Sequence, residues 1–431
     1  MSNTSPVSRL RKLALISVHT SPLETPGIGD AGGMNVYIDK TARELAKRGI
    51  EIDIFTRATS KDQPVSVEVT PGVRVRYIQA GPFGGLQKQD LPGQLCAMTA
   101  GVMRAEAERP EGWYDVIHSH YWLSGQVGWL ARDKWQVPLI HSMHTMAKVK
   151  NLALAEDDTP EPLIRIVGEE QVVKVSDRLV ANTHREAAEL IDLYDATPQR
   201  VDVVHPGVDL EIFTPEGNDL RSALGIDSSD FVMLFVGRIQ PLKAPDVVIK
   251  AAAELKKRYP EIAHKLRVVV CGGLSGTGVQ EKYSLSALAT ELNIHDDVMF
   301  LQPLPPKELA ALYRSADVLL VPSHSESFGL VALEASASGT PVIAAAVGGL
   351  VTSVKDNISG LLVGSHDAAT WAEKIADIAL RPQFKQELQQ GGIEHAQKFS
   401  WQITAQNLAN SYERSIFDFR RTAGNTNSAT A

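Results

Sequence analysis

Short runs of apolar, largely β-branched residues alternate along this chain with longer stretches in which apolar residues recur at helical spacing. In the first half, the pattern predicts buried strands at residues 13–18, 50–56, 73–79, 115–118, 137–141, 178–182 and 201–204. It predicts helices between them at residues 34–48, 124–134 and 163–175. Strands this apolar, separated by helices, indicate an α/β fold with a parallel sheet that is covered on both faces.

A connection that contains proline and glycine, residues 205–215, interrupts this alternation before it restarts. The second half predicts strands at residues 231–236, 266–270, 298–301, 318–321 and 341–345, again with helices between them. The 431 residues therefore divide into two doubly wound domains, predicted at residues 1–208 and 209–400. Two such domains that face each other place a ligand cleft outside the carboxyl ends of both sheets.

The two ends of the chain predict no membrane attachment. Residues 1–11 are polar and lack the apolar core of a signal peptide. An amphipathic helix is predicted over residues 401–421, followed by a disordered tail of small, polar residues at 422–431. Because no run approaches the roughly 20 apolar residues of a membrane helix, we expect no membrane insertion.

Composition and charge narrow the classes of function. Apolar residues make up 44% of the chain and charged residues 22%, a globular balance that excludes wholesale disorder. The net charge of −8 argues against a nucleic-acid partner, which needs a basic surface. Cys96 and Cys271 allow at most one disulfide, so we expect a protein of the cytoplasm.

A glycine-rich loop follows the first predicted strand, with Gly27, Gly29, Gly32 and Gly33 directly before a helix. Glycines at such a junction let backbone N–H groups approach a phosphate. The spacing is not that of the dinucleotide fingerprint, and a P-loop lysine is missing. We interpret the segment as a ligand loop, with a merely flexible connection as the alternative.

Two histidine clusters follow predicted strands, one at residues 118–122 and one at residues 141–145. A zinc site needs three or more ligands, and no obvious carboxylate completes this set, so a metal is the least favoured interpretation. Two other interpretations stay open: contacts to a sugar hydroxyl or phosphate, and histidines that only stabilise the strand ends.

Two cations and two carboxylates lie in the second half, after predicted strands. Arg238 and Lys243 can reach one anion together, with charge-assisted hydrogen bonds of about 1.5–3 kcal/mol each. Glu326 lies in a loop before a helix predicted to begin near Phe328, whose first amides would favour an anion. Glu334, deeper in that helix, needs a polar partner. This combination suits a nucleotide sugar, although the two cations alone read more simply as a solvated surface pair.

The set Arg238, Lys243, Glu326 and Glu334 resembles the retaining GT-B glycosyltransferases of family four, over roughly residues 12–420. Within that family the chain is similar to the subfamily that begins mycothiol biosynthesis, through motifs at residues 19–23, 26–27, 29–30, 32–37, 118–126 and 149–151. The resemblance implies two Rossmann-like domains that face each other across a cleft, a terminal helix that crosses back to the first domain, and a homodimer.

The activity that this resemblance implies is transfer of N-acetylglucosamine from UDP-GlcNAc to 1D-myo-inositol 3-phosphate with retention. One alternative is a related transferase with another donor or acceptor, such as a sucrose-phosphate synthase. Another is a non-catalytic protein that only binds a nucleotide sugar. The intact set of two cations and two glutamates argues against this last alternative.

The resemblance assigns most of the catalytic roles to the donor site. Arg238 and Lys243 would hold the pyrophosphate, Glu326 and His144 would contact the transferred sugar, and Glu334 would contact the ribose. The remaining donor contacts would come from Thr25, Pro26, Gly33, Leu304, Phe328, Gly329 and Leu330. The family carries an arginine near Leu304 and a glycine where this chain has Ala244.

The acceptor site implied by the resemblance is a phosphate cage of two cations and two hydroxyls, Lys88, Arg165, Tyr121 and Thr145. Further acceptor contacts would come from His19, Asp30, Ala31, Gly32, Gly33, Met34 and Asn35. From the residues alone, a surface cation is the better interpretation of both Lys88 and Arg165. The acidic stretch that the family has before Arg165 is replaced by Pro-Leu-Ile.

No organic cofactor is implied. Family members hold a structural magnesium ion through backbone oxygens, which correspond here to Tyr313, Arg314, Ala316 and Thr340. The chain lacks the Asp-x-Asp pair of metal-dependent transferases, so we do not expect magnesium to be catalytic.

Overall fold

The computed structural model describes residues 10–27, 30–154, 159–273 and 278–429. Ile28 and Gly29 of the glycine-rich loop, most of the predicted N-terminal segment and residues 430–431 lie outside the described residues. The strands of the first domain are β1 (Lys12–Ser17), β2 (Glu51–Arg57), β3 (Ser66–Thr70), β4 (Val73–Ile78), β5 (Val116–His120), β6 (Leu139–Ser142), β7 (Arg178–Ala181) and β8 (Val201–Val203). Its helices are α1 (Gly33–Lys47), α2 (Leu95–Ala107), α3 (Trp122–Trp135), α4 (Ala147–Leu152), α5 (Leu163–Val175) and α6 (His184–Tyr194).

The second domain repeats this alternation. Its strands are β9 (Phe231–Val236), β10 (Leu266–Cys271), β11 (Val298–Leu301), β12 (Val318–Val321), β13 (Val342–Ala345) and β14 (Leu361–Val363). Its helices are α7 (Pro245–Arg258), α8 (Pro260–Ala263), α9 (Gly278–Glu291), α10 (Pro306–Ser315), α11 (Leu330–Ala337), α12 (Leu350–Ser353), α13 (Ala368–Leu380) and α14 (Pro382–Ala396). The chain then enters the long helix α15 (Trp401–Ala429).

Both sheets have doubly wound topology. The first has the strand order β3-β4-β2-β1-β5-β6-β7-β8, and the second has the order β11-β10-β9-β12-β13-β14. All pairings are parallel except that of the edge strand β3, which lies antiparallel to β4. In β1, Leu13 pairs with Ile52 on one side and with Val116 on the other, so apolar central strands are covered on both faces as predicted.

Two strands were not predicted from the sequence pattern. Strand β3 is polar and partly exposed along its length, because only one of its edges is paired at the border of the sheet. Strand β14, with three residues, was not predicted. The first sheet is parallel as predicted except at its edge, where β3 is antiparallel.

Helix α15 packs on the first domain, as expected of a helix that crosses back. Trp401, Leu408, Tyr412 and Ile416 are buried in one core with residues of α1, β1, β2 and β4. The helix continues to Ala429, into the segment for which a disordered tail is predicted. A helix that has already formed extends at little cost, because each added residue gains one hydrogen bond.

The chain passes between the domains twice, and the two passages lie side by side. The N–H of Val208, on the first passage, donates to the carbonyl of Phe399 on the second, at 2.8 Å. An added Cβ at Gly207 would lie 2.4 Å from the backbone nitrogen of Trp401. This close approach needs a glycine. The exact domain boundary at residues 208 and 209 stays a prediction.

Two features of the described residues bear on the sequence expectations. Cys96 is exposed and Cys271 is buried, and both are free thiols. Within the described ranges, no helix is both long enough and apolar enough to cross a lipid bilayer.

Candidate active site

A cleft of about 430 Å³ lies between the two domains, at the carboxyl ends of both sheets. The predicted residues that line it from the first domain are His19, Thr25, Pro26, Asp30, Gly32, Gly33, Met34, Lys88, Tyr121, His144 and Thr145. Those that line it from the second domain are Arg238, Lys243, Leu304, Glu326, Phe328, Gly329, Leu330 and Glu334. The structure therefore brings most of the candidate donor and acceptor residues to one place.

The glycine-rich loop is fixed from inside the first domain. The N–H of Gly32 donates to Oδ1 of Asn35 at 2.9 Å, and Nδ2 of Asn35 donates to Oγ1 of Thr20 at 2.7 Å. Ala31 and Asn35 are both buried. Of the predicted acceptor residues, these two therefore support the loop instead of facing the cleft, whereas Gly33 begins α1 with a free amide.

The pyrophosphate candidates lie opposite this loop. An added Cβ at Gly32 would lie 3.9 Å from Nε of Arg238, so the guanidinium reaches across to the first domain. Lys243 ends a short 3-10 turn and forms an ion pair with Glu326. The next residue, Ala244, has a φ of +49°, a left-handed conformation that a glycine adopts without strain. This conformation explains why the family favours glycine at that position.

The loop that carries Glu326 rests on a pair of glycines. The N–H of Gly349 donates to the carbonyl of Glu326 at 2.7 Å. Gly329 has a φ of +92° and caps α11, so the helix begins at Leu330 and not near Phe328 as predicted. The difference arises because a left-handed residue cannot continue a right-handed helix.

Gly348→Ala tests this support, because an added Cβ would lie 2.0 Å from the carbonyl oxygen of Glu326. The backbone of Glu326 has to move by about an ångström, and we expect turnover to fall by about 10²-fold. UDP release under saturating donor is the measurement. The matched control is Gly364→Ala, where an added Cβ meets nothing within 4 Å. Equal turnover in the two variants would mean that the position of Glu326 is unimportant.

Glu334 has a partner inside the second domain. The hydroxyl of Tyr313, a fully buried residue, donates to Oε2 of Glu334 at 2.9 Å. Desolvation raises the pKa of Glu334 to about 7, against the opposing effects of the Tyr313 hydrogen bond and of Lys40. The Glu334 carboxyl group can therefore still form a hydrogen bond with a ligand hydroxyl. It gains or loses its negative charge near neutral pH.

The raised pKa of Glu334 predicts a pH-dependent loss of stability. A carboxyl whose pKa is higher in the fold than its ordinary 4.5 favours the fold when protonated, and this stability is lost as pH rises from 4.5 through 7. Glu334→Gln removes the charge, so its free energy of unfolding should rise relative to wild type between pH 5 and pH 8. Urea unfolding at both pH values measures this difference, with Glu261→Gln on the exposed surface as control. A constant difference between wild type and Glu334→Gln would contradict the assignment.

The four cage residues come together around the ring of Tyr121. Nζ of Lys88 lies 4.5 Å from the ring centroid, and Cζ of Arg165 lies 5.1 Å from it. Nη2 of Arg165 donates to Oγ1 of Thr145 at 2.9 Å. Tyr121 has a φ of +71°, a strained conformation of the kind that concentrates at binding sites. Two cations and two side chains that carry hydroxyls thus meet in one region, which suits a phosphate monoester, although the buried Arg165 is not among the residues that line the cleft.

Two glutamates that the sequence analysis missed orient Arg165. Oε1 of Glu161 lies 2.8 Å from Nη1, and Oε1 of the fully buried Glu169 lies 2.7 Å from Nε. Glu169 lies four residues after Arg165 on α5, a spacing that the sequence displays and that brings side chains together on a helix. Glu161 lies four residues before Arg165, ahead of the start of α5. Glu169 also accepts from the hydroxyl of Tyr194 at 2.5 Å. The carboxylates therefore hold the arginine despite the missing acidic stretch.

The structure divides the histidines into two groups. His118 is fully buried and contacts the Tyr412 hydroxyl through Nδ1 at 2.7 Å and Ser142 Oγ through Nε2 at 2.9 Å. His141 is also buried and contacts Ser119 Oγ at 2.7 Å. Of the four histidines in the two predicted clusters, His144 lines the cleft. The interpretation that a histidine only stabilises a strand end therefore applies to His118 and His141.

Of the residues expected to hold magnesium, Tyr313 uses its backbone oxygen within the protein. The carbonyl of Tyr313 accepts from the N–H of Ala316 at 2.9 Å and from Oγ1 of Thr340 at 2.6 Å, while Arg314 donates to the carbonyl of Asn218 at 2.9 Å. Among the described residues, no group of three or more His, Cys, Asp or Glu is placed to hold a metal. Because the Tyr313 carbonyl accepts two hydrogen bonds, a magnesium ion there would have to displace one of them, and the magnesium site stays a prediction.

The two facing doubly wound domains, with a glycine loop on one side of the cleft and paired cations and glutamates on the other, define a glycosyltransferase of the GT-B class. Residues 32–207 match the family model described as a glycosyl transferase 4-like domain, and residues 217–412 match the model of glycosyl transferases group 1. The D-inositol 3-phosphate glycosyltransferase of Saccharomonospora viridis is 57% identical over 96% of both chains. That of Salinispora arenicola is 57% identical over 95% of this chain and 93% of its own. The chain belongs to this family of D-inositol 3-phosphate glycosyltransferases.

Solved structures agree with this class. Sucrose-phosphate synthase from Thermosynechococcus elongatus is 31% identical, with a TM-score of 0.86 over 95% of this chain and 99% of its own. Anabaena HepE, solved in complex with UDP and glucose, is 20% identical, with a TM-score of 0.74 over 93% of this chain and 98% of its own. The second likeness shows the shared fold alone.

Proposed function

We propose that this enzyme transfers N-acetylglucosamine from UDP-GlcNAc to 1D-myo-inositol 3-phosphate with retention of the α configuration, the first step of mycothiol biosynthesis. One observation carries the proposal: the cage opens into the same cleft as Lys243 through Lys88, Tyr121 and Thr145, and the buried Arg165 donates to Thr145. A phosphorylated acceptor in the cage would then lie beside a nucleotide sugar. The identity of the acceptor, an inositol phosphate, is taken from the names of the relatives.

In the donor half of the site, the main barrier is the negative charge that develops on the departing UDP. Arg238 from the second domain and the free amides at the starts of α1 and α11 surround the expected pyrophosphate position. Lys243 would exchange its partner Glu326 for a phosphate oxygen. Preorganised cations and dipoles of this kind stabilise the leaving group without a metal ion.

In the acceptor half, the cage orients one hydroxyl of the inositol toward the anomeric carbon. The hydroxyl oxygen bonds to that carbon on the face from which the carbon–oxygen bond to UDP breaks. The hydroxyl proton passes to the phosphate oxygen of UDP, so no protein nucleophile is consumed. Glu326, tied to Lys243 before the donor binds, then serves to position the sugar.

The experiment that tests the function is UDP release from UDP-GlcNAc with 1D-myo-inositol 3-phosphate, with free inositol and with fructose 6-phosphate. We expect release that depends on the inositol phosphate. Release only with fructose 6-phosphate would favour a sucrose-phosphate synthase activity, which the solved relative of that name makes the natural second candidate. Binding of UDP-GlcNAc without release under any condition would indicate a non-catalytic protein.

Three narrower expectations accompany the proposal. The homodimer is tested by the molar mass of the purified protein in light scattering. Magnesium dependence is tested by UDP release with and without EDTA, and we expect turnover to persist in EDTA. The cytoplasmic location is tested by fractionation of the source cells.

A further inference from the structure

The imidazole of His144 is held by a second histidine, His120, which the cleft itself does not reach. Nδ1 of His120 lies 2.9 Å from Nε2 of His144, and both residues are buried. Nδ1 of His144 makes no hydrogen bond with the described residues, and His144 is among the residues that line the cleft. The nitrogen left for a ligand is therefore Nδ1, and its chemistry depends on the proton shared with His120.

Both rings are neutral in this environment. Burial lowers the pKa of His144 to about 3 and lowers that of His120 well below its ordinary value, where the neighbouring imidazole of His118 acts in the same direction. Between two neutral imidazoles there is one N–H, carried either by His120 or by His144. The two arrangements place opposite chemistry in the cleft.

The other nitrogen of His120 decides between them. Nε2 of His120 is buried and has no hydrogen-bond partner among the described residues. If His144 carried the shared proton, His120 would be protonated at Nε2, and a buried N–H would be left without an acceptor. Unsatisfied buried N–H groups are rare because each costs its full desolvation free energy, whereas under-satisfied buried acceptors are somewhat less rare. The shared proton therefore belongs to Nδ1 of His120.

We propose that His120 is a positioning residue that fixes the tautomer of His144, so that His144 presents an Nδ1–H donor to an oxygen of the sugar in the cleft. The sugar as ligand rests on the proposed function, whereas the tautomer does not. The main chain supports the same arrangement: His144 has a φ of +60°, and His120 pairs with Ser142 in the register of β5 and β6. The sheet thus sets the spacing at which the two rings meet.

The direct test is ¹⁵N NMR of histidine-labelled protein without ligand, with the His144 resonance assigned from His144→Gln. We expect the tautomer with the proton on Nδ1 in the wild type, and a change of that tautomer in His120→Phe. A wild-type His144 with its proton on Nε2 overturns the proposal, whatever the substrate of the enzyme is.

Kinetics separate positioning from a structural role. His120→Asn keeps an N–H donor near the place of Nδ1, whereas His120→Phe fills the space without one. We expect His120→Phe to lower kcat by about tenfold to a hundredfold with little change in the acceptor KM, and His120→Asn to recover most of it. Equal losses in both variants with an unchanged His144 tautomer would overturn the proposal. If wild type releases no UDP, the proposed function fails while the NMR result still stands.

Discussion

Lys243→Ala is expected to lower the turnover number by about 10²–10³-fold while the fold persists. In the described state the ammonium pairs with Glu326 and is partly buried at the donor side of the cleft. Removal of the ammonium takes away a preorganised positive charge from the place where negative charge develops on the UDP leaving group. The effect should fall on kcat, because that stabilisation is greatest in the transition state. UDP release under saturating substrates measures it.

The matched control is Lys250→Ala on α7, whose ammonium forms an exposed pair with Asp246 one helical turn away. Such surface pairs contribute about 0–1 kcal/mol to stability, and this one lies outside the cleft. Far-ultraviolet circular dichroism of both variants checks the fold. Wild-type turnover in Lys243→Ala would show that the pyrophosphate lies elsewhere.

Lys88→Met is expected to lower kcat/KM for the phosphorylated acceptor by about 10- to 100-fold and to leave the slow reaction of free inositol unchanged. The ammonium lies against Tyr121 and forms no ion pair among the described residues, so its loss leaves no buried carboxylate unpaired. Arg165 would be a poorer choice for substitution, because Glu161 and Glu169 depend on it. Initial rates with the two acceptors give the ratio. An equal loss with both acceptors would argue against a phosphate cage.

Lys88→Arg is the control that tests whether the positive charge at this position is what the acceptor requires. Desolvation lowers the pKa of Lys88 to about 8. The charge of Asp30 opposes this shift, and the charge of Arg165 adds to it. Part of the Lys88 side chain is nevertheless exposed to the water of the cleft. The positive charge is therefore lost as pH rises through 8, and the wild-type kcat/KM for the phosphorylated acceptor should fall there. Lys88→Arg should keep its charge and flatten this decline. A decline that persists unchanged in the arginine variant would point to another group.

Elements of the fold that bury apolar residues on both faces were predictable from the sequence. Strands β9 and β12 have the predicted bounds, because an uninterrupted apolar run of four to six residues has one favourable environment in an α/β protein. The half-buried edge strand β11 also has its predicted bounds. Strand β3 was missed because its pairing depends on β4 and on the border of the sheet, neither of which its own residues reveal. The bend at Gly329 was missed for a similar reason, since glycine permits a left-handed φ but does not require it.

Two kinds of evidence made part of the candidate site predictable: residues that are close together in the sequence, and the resemblance to a known family. Glu326 and Glu334 lie on one loop and helix, so their proximity follows from the strand–loop–helix context. The partners of the site residues were not predictable, because they come from distant segments. Tyr412 approaches His118 across 294 positions of sequence, and Lys243 meets Glu326 across 83. Glu169 displayed a helical spacing to Arg165, but only the fold shows that its carboxylate turns inward.

The paired passages of chain between the domains define how the two halves of the cleft can move. Because the segments at Val208 and Phe399 are hydrogen-bonded side by side, a rotation of one domain against the other has to bend both segments together. The angle between the domains then sets the separation of the donor and acceptor walls of the cleft. A bulkier residue at Gly207 would change the angle between the domains and so weaken the binding of both substrates, without touching either of them.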